Sequence, residues 1–76
     1  MKGLELRYNY EQDRVGVWDS RAGDWYIEGL HCGMCFDLQV SGSWLPVRIE
    51  YGADWYLVGF EGPDFYGQPV RFRGSV

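Results

Sequence analysis

No apolar run in the 76-residue sequence approaches the ~18–20 residues that a membrane-spanning helix needs. The opening Met1-Lys2-Gly3-Leu4-Glu5 has no apolar stretch of the kind a secretory signal carries. Both absences point to a soluble, cytoplasmic protein with no membrane partner. Catalytic signatures are missing as well. There is one histidine, and the Gly-x-Ser-x-Gly, phosphate-loop and His-Glu-x-x-His patterns do not occur. Carboxylates such as Asp37 and Glu50 are present, but nothing in the sequence sets them up as an acid and base pair. The expectation is a protein that is not an enzyme and carries no cofactor. Positive charge is scarce too, with seven Lys and Arg against eleven Asp and Glu and a formal net charge of −4. Phosphate neutralisation needs a basic surface, so nucleic acid is not the expected partner. Arg71 and Arg73 are the candidates for a local basic patch, set against the plainer reading of two solvated arginines. The acidic residues are interspersed, which gives little support to mimicry of nucleic acid.

The chain also lacks internal repeats, low-complexity tracts, interdomain linkers and any helix-length periodic segment. What it has in abundance is aromatic: four Trp, six Tyr and four Phe. A single small domain over residues 1–76 yields only a few kcal/mol of net stability from its core, so an aromatic-rich core or a homo-oligomer would help. Not all fourteen rings need lie inside so small a domain. The surplus is the best compositional hint of binding, because aromatic residues anchor interfaces and ligands.

Trp44 to Phe60 organises the rest. Ser43 to Tyr51 alternates, with Leu45, Val47 and Ile49 on one face and Trp44, Pro46, Arg48 and Glu50 on the other. Gly52-Ala53-Asp54 supplies a turn. Asp54 to Phe60 is nearly continuous in apolar residues, as expected of a strand buried on both sides. Pro46 lacks an N–H, so its end of the strand belongs at an edge or bulge. Upstream, Leu4 to Tyr10 alternates Leu4, Leu6, Tyr8 and Tyr10 against Glu5, Arg7 and Asn9. It returns through Glu11-Gln12-Asp13 into Arg14 to Trp18, a first hairpin. Trp25-Tyr26-Ile27 reads as a brief strand. Met34 to Val40 sets Met34, Phe36, Leu38 and Val40 against Cys35, Asp37 and Gln39, and Ser41-Gly42 makes a two-residue turn. Asp64-Phe65-Tyr66 fits one 3₁₀ turn, and Gln68 to Arg73 closes the chain before a frayed tail. Five to six short antiparallel strands with regular turns predict an all-β fold, a small SH3-like barrel with an OB-like barrel second.

Three runs carry a resemblance: Leu30-His31-Cys32-Gly33, Trp44-Leu45-Pro46-Val47-Arg48-Ile49-Glu50 and Trp55-Tyr56-Leu57-Val58-Gly59. The closing Gly67-Gln68-Pro69-Val70-Arg71 and the start from Gly3 to Tyr8-Asn9 also fit. Together they make the chain similar to an uncharacterised family of very short β-rich proteins from Gram-positive bacteria and their phages, plasmids and conjugative elements. The resemblance implies no reaction. It implies a mobile-element setting, in which small proteins often bind host factors or inhibit host defence.

Candidate sites follow from the side chains. Cys32-x-x-Cys35 has the spacing of a metal knuckle or redox pair, but a redox pair wants a βαβ setting. A zinc ion would need Asp37 or a second subunit beyond the two Cys and His31. The preferred reading has Cys32 as a small packed residue and Cys35 as a strand residue, and no metal is expected. Arg48 and Glu50 share a strand face with Trp44, which suits recognition of a peptide or small ligand; a salt-bridge network on a wet face is the plainer reading. Trp18, Trp25, Trp44, Trp55, Tyr26 and Tyr56 suggest a partly exposed aromatic cluster, such as the grooves that read extended peptides. The preferred function is non-enzymatic binding of a protein partner through Trp44, Arg48, Glu50, Trp55 and Tyr56, as in an inhibitor of a host factor. The alternatives are an oligomeric binder of a nucleotide-like small molecule, and a dimer linked by zinc or disulfide through Cys32 and Cys35.

Overall fold

The computed structural model describes residues 3–62 and 64–73, and within them the segments that alternate with a period of two become strands. The first hairpin pairs Leu4–Asn9 (β1) with Arg14–Asp19 (β2), setting Leu6 opposite Val17 and Tyr8 opposite Val15. Leu6, Val15 and Val17 are fully buried there. Asp24–Ile27 (β3) pairs with β2 across a register shift between Val17 and Trp18. Gly16 is the reason that approach is possible: a Cβ there would sit 2.8 Å from the carbonyl oxygens of Ile27 and Glu28 and 2.9 Å from the Trp25 ring.

Cys35–Val40 (β4), Ser43–Tyr51 (β5) and Trp55–Val58 (β6) form the central meander, and Val70–Arg71 (β7) returns to pair with β4. The turn from β4 to β5 is Ser41-Gly42, both at positive φ (51° and 82°), the signature of a tight two-residue hairpin loop. Strand order is β1-β2-β3 in one sheet and β6-β5-β4-β7 in the other. Two irregular segments stitch the sheets together. Leu6 and Gly67–Pro69 exchange backbone bonds, Leu6 N–H to Gln68 C=O at 3.1 Å and Gly67 N–H to Leu6 C=O at 2.7 Å, while Gln39 N–H reaches Pro69 C=O at 2.8 Å. On the other side Leu30 N–H donates to Val15 C=O at 2.8 Å and Gly33 N–H to Ile49 C=O at 2.8 Å. One core of Leu, Val, Ile and Phe side chains lies between, drawn from both sheets and from Leu30 and Phe65.

The all-β expectation holds, with differences in detail. The described residues form seven strands rather than five or six. Among the described residues no ladder joins β3 to β6, so the sheets do not close into a barrel. The turn expected at Asp64–Tyr66 falls slightly later, where Gln68 N–H donates to Phe65 C=O at 3.3 Å. Pro63 and the tail after Arg73 lie outside the described residues. The β6 strand is an edge and buries only Leu57 fully, because β5 covers one flank and its outer face carries Tyr56 and Val58 into solvent. Pro46 behaves as its missing N–H requires: the β5–β6 ladder spans Arg48–Tyr51 and stops short of it. Asn9 departs from its expected wet face. It is buried, donating to Glu28 C=O at 2.9 Å and accepting from Glu11 N–H at 3.0 Å, which shapes the first turn and sends Tyr10 outward.

Candidate functional site

Alternation along β5 puts Trp44, Pro46, Arg48 and Glu50 on the outer face of the four-stranded sheet. Arg48 Nε donates to Glu50 Oε2 at 2.7 Å, a partly exposed pair. Register sets exposed Tyr56 beside Glu50 and exposed Val58 beside Arg48, with Cys35 on the other flank of Arg48. An open groove of about 450 Å³ runs here, lined by Cys35, Asp37, Pro46, Arg48, Val58 and Arg73. Trp44 is half-buried at the far end, with the Arg71 guanidinium 4.5 Å from its ring centre. Four of the five expected binding residues therefore share one face. Trp55 does not join them. It shares parity with buried Leu57, packs against the core, and meets the Tyr51 ring at 4.8 Å.

Asp37 lies on this outer face and yet is buried, a departure from the expected polar surface position. The cause is a clamp: Arg71 Nε approaches Asp37 Oδ2 at 3.0 Å and Arg73 Nε approaches the same oxygen at 2.9 Å. Two arginines placed two apart on one extended segment point to the same side and converge on one carboxylate. They are neither a free basic patch nor merely solvated charges.

The six-ring cluster expected from sequence is instead several separate contacts. Trp18 and Trp25 meet edge to face at 5.2 Å, Tyr26 leans on Phe72 at 6.1 Å, and Trp44 and Tyr56 stand apart on the outer face. Arginines stack on three of the tryptophans: Arg7 on Trp18 at 4.4 Å, Arg14 on Trp55 at 5.5 Å and Arg71 on Trp44. Sequence reasoning missed a different aromatic grouping. Tyr8 contacts Tyr10 at 4.9 Å and Tyr66 at 6.2 Å, both edge to face. Two open grooves meet there, of about 660 Å³ and 480 Å³, and both are lined by Tyr8 and Asp54. The available signal was a loop holding two adjacent aromatics, Phe65-Tyr66, of which only Phe65 is buried. The phenols report an acidic setting. Donation to the Asp13 carboxylate, with partial desolvation, pushes the Tyr8 pKa up to about 12. Burial raises the Tyr66 pKa, and Asp54 and Asp64 add to the rise.

The cysteines diverge. Both are free and exposed, so Cys32 is not the packed residue expected; it lines a groove with Tyr8 and Trp55, whereas Cys35, the first residue of β4, lines the groove beside Arg48. No group of three or more His, Cys, Asp or Glu among the described residues is arranged to hold a metal ion. No helix among them is long and apolar enough to cross a membrane.

Fold and surface define a small all-β domain of two antiparallel sheets that leaves aromatic side chains around open grooves. Residues 4–72 match the family described as Domain of unknown function (DUF5348), and the chain belongs to that family. No curated protein matches it. Among solved structures it is similar to a structural-genomics protein from Ruminococcus gnavus, at 44% identity and a TM-score of 0.79, covering 91% of this chain and 97% of that one.

Proposed function

We propose that this domain is a non-enzymatic binding module whose ligand is another protein. The observation that carries this reading is the outer face of the four-stranded sheet, where exposed Tyr56 and Val58 flank the Arg48–Glu50 pair beside an open groove. Aromatic rings and arginines are the side chains that contribute most to protein interfaces, and a ring already held in solvent by a rigid strand loses little freedom on docking. Edge strand β6 adds unpaired backbone groups to the same rim. Trp44, held by Arg71, supplies a half-buried apolar border. The mobile-element setting implied by the sequence resemblance makes a host factor the first partner class to offer.

The test is immobilised domain in host lysate, compared with Arg48→Ala and Tyr56→Ala variants. A protein captured by wild type and lost from both variants, with melting temperatures unchanged within a few degrees, is the expected result. An exposed pair such as Arg48–Glu50 contributes about 0–1 kcal/mol to stability, so folding should survive. Capture that persists undiminished in both variants would remove this face from the proposal.

A further inference from the structure

The structure assigns a second docking surface, distinct from the Arg48 face: the tyrosine trough formed by Tyr8, Tyr10, Tyr66 and Asp54, which takes an extended, arginine-bearing segment of a partner protein. It deepens the reading of the domain as a protein-binding module and names the chemistry of the ligand. Two independent observations carry it. The first is shape and exposure. Tyr10 is 86% exposed and Tyr66 40% exposed, both packed edge to face against Tyr8, and two neighbouring grooves share Tyr8 and Asp54 in their walls. A trough lined by ring faces accepts a strand-like chain and offers π surface to cations.

The second is charge. Asp13 lines one groove, Asp54 lines both, and Asp64 acts on Tyr66 from beside them. Arg7 lines one groove and Arg14 the other, so they offset part of this field. The carboxylates Glu5, Asp13 and Asp54 outnumber them in the linings, however, and both guanidinium groups are held by other partners. Arg7 pairs with Glu5 at 3.1 Å and stacks on Trp18, while Arg14 donates to Leu30 C=O at 3.1 Å and stacks on Trp55. Both phenols hold their protons more tightly than free tyrosine does, chiefly through donation to Asp13 at Tyr8 and through burial at Tyr66, with nearby carboxylates adding to each. An arginine side chain satisfies both features at once, its plane lying on a tyrosine and its N–H groups reaching a carboxylate.

The experiment uses the whole chain and a blocked peptide of five Arg-Pro repeats, proline keeping it extended. Amide and aromatic NMR shifts are followed during titration, with a Glu-Pro repeat of equal length as control. Saturable shifts centred on Tyr8, Tyr10, Tyr66 and Asp54 are expected for the Arg-Pro peptide and none for the Glu-Pro peptide. Tyr10→Ala should weaken binding roughly fivefold. Asp54→Asn should weaken it comparably while keeping the side-chain oxygen that caps Trp55 N–H at 2.8 Å. Arg48→Ala should leave it unchanged, since Arg48 lies on the other surface. Shifts spread evenly over the acidic surface, equal binding by the Glu-Pro peptide, or equal loss with Arg48→Ala would each overturn the assignment. If the lysate partner still depends on Arg48 and Tyr56 while the peptide fails, the trough alone is refuted and the binding-module reading stands.

Discussion

A phenol that donates to a carboxylate ionises reluctantly, because losing its proton removes the hydrogen bond and leaves two negative charges in contact. Tyr8 is in that position against Asp13, and its pKa is raised from 10.0 to about 12. The consequence for stability has a definite sign. The folded state holds the proton more tightly than the unfolded chain, so the contribution is complete below pH 10 and is lost as pH rises towards 12. Urea midpoints measured across that window should fall with pH in the wild type. In Tyr8→Phe the decline should be shallower, since no proton is left to release at that site. An identical slope in the two proteins would show that Tyr8 ionises alike in folded and unfolded states. The same side chain supports the trough with its ring, so Tyr8→Phe should leave Arg-Pro binding almost intact while altering the pH response.

At the scale of the element, β7 shows how two paired residues hold a strand. Val70 and Arg71 make the ladder to Leu38 and Asp37, and the side chains of Arg71 and Arg73 close over the Asp37 carboxylate. Each arginine is well exposed, whereas Asp37 is almost wholly covered, so the energetics depend on whether the buried carboxylate keeps one partner. Arg71→Ala and Arg73→Ala should each cost about 1 kcal/mol or less, and the double variant about 3 kcal/mol, more than the sum. Chemical denaturation of the four proteins measures the coupling, and strict additivity would mean that the arginines act separately. The neighbouring elements show which features were legible beforehand. Alternation located β1, β2, β4 and β5 and put Val47 and Ile49 inside, because one buried face dictates a period of two. The same alternation left the burial of Asn9 and Asp37 unforeseen, since it ranks side chains by polarity alone. Both are buried with hydrogen-bond or charge partners from segments distant in sequence, Glu28 and the Arg71–Arg73 pair. The apolar run after Asp54 suggested a strand covered on both sides. Strand order put it at an edge, and order depends on pairings that local pattern does not encode.

The whole molecule is small, with principal extents of 32 × 30 × 25 Å, so its single core has room for few large side chains. That geometry accounts for the aromatic surplus. The core is filled by aliphatic residues with Phe36 and Phe65, all four tryptophans are half-buried, and most tyrosines are exposed. It also separates residues that are close in sequence. The segment that stitches β2 to β5 turns at Gly33, whose N–H is fixed to Ile49 C=O, and the chain then enters β4. Cys32 before that point opens on the tyrosine side, and Cys35 after it opens on the Arg48 side. Thiols directed into different grooves do not converge, whatever their spacing along the chain. Native protein treated with iodoacetamide should therefore gain two carbamidomethyl groups. Mild oxidation beforehand should leave both thiols modifiable and cause no loss of two mass units. Stoichiometric oxidation to a form that resists alkylation and regains both sites on reduction would show that the pair meets in solution. The segment from Leu30 to Met34 would then have to move away from Ile49, and the two surfaces proposed for binding would be linked through a redox-sensitive joint rather than being independent.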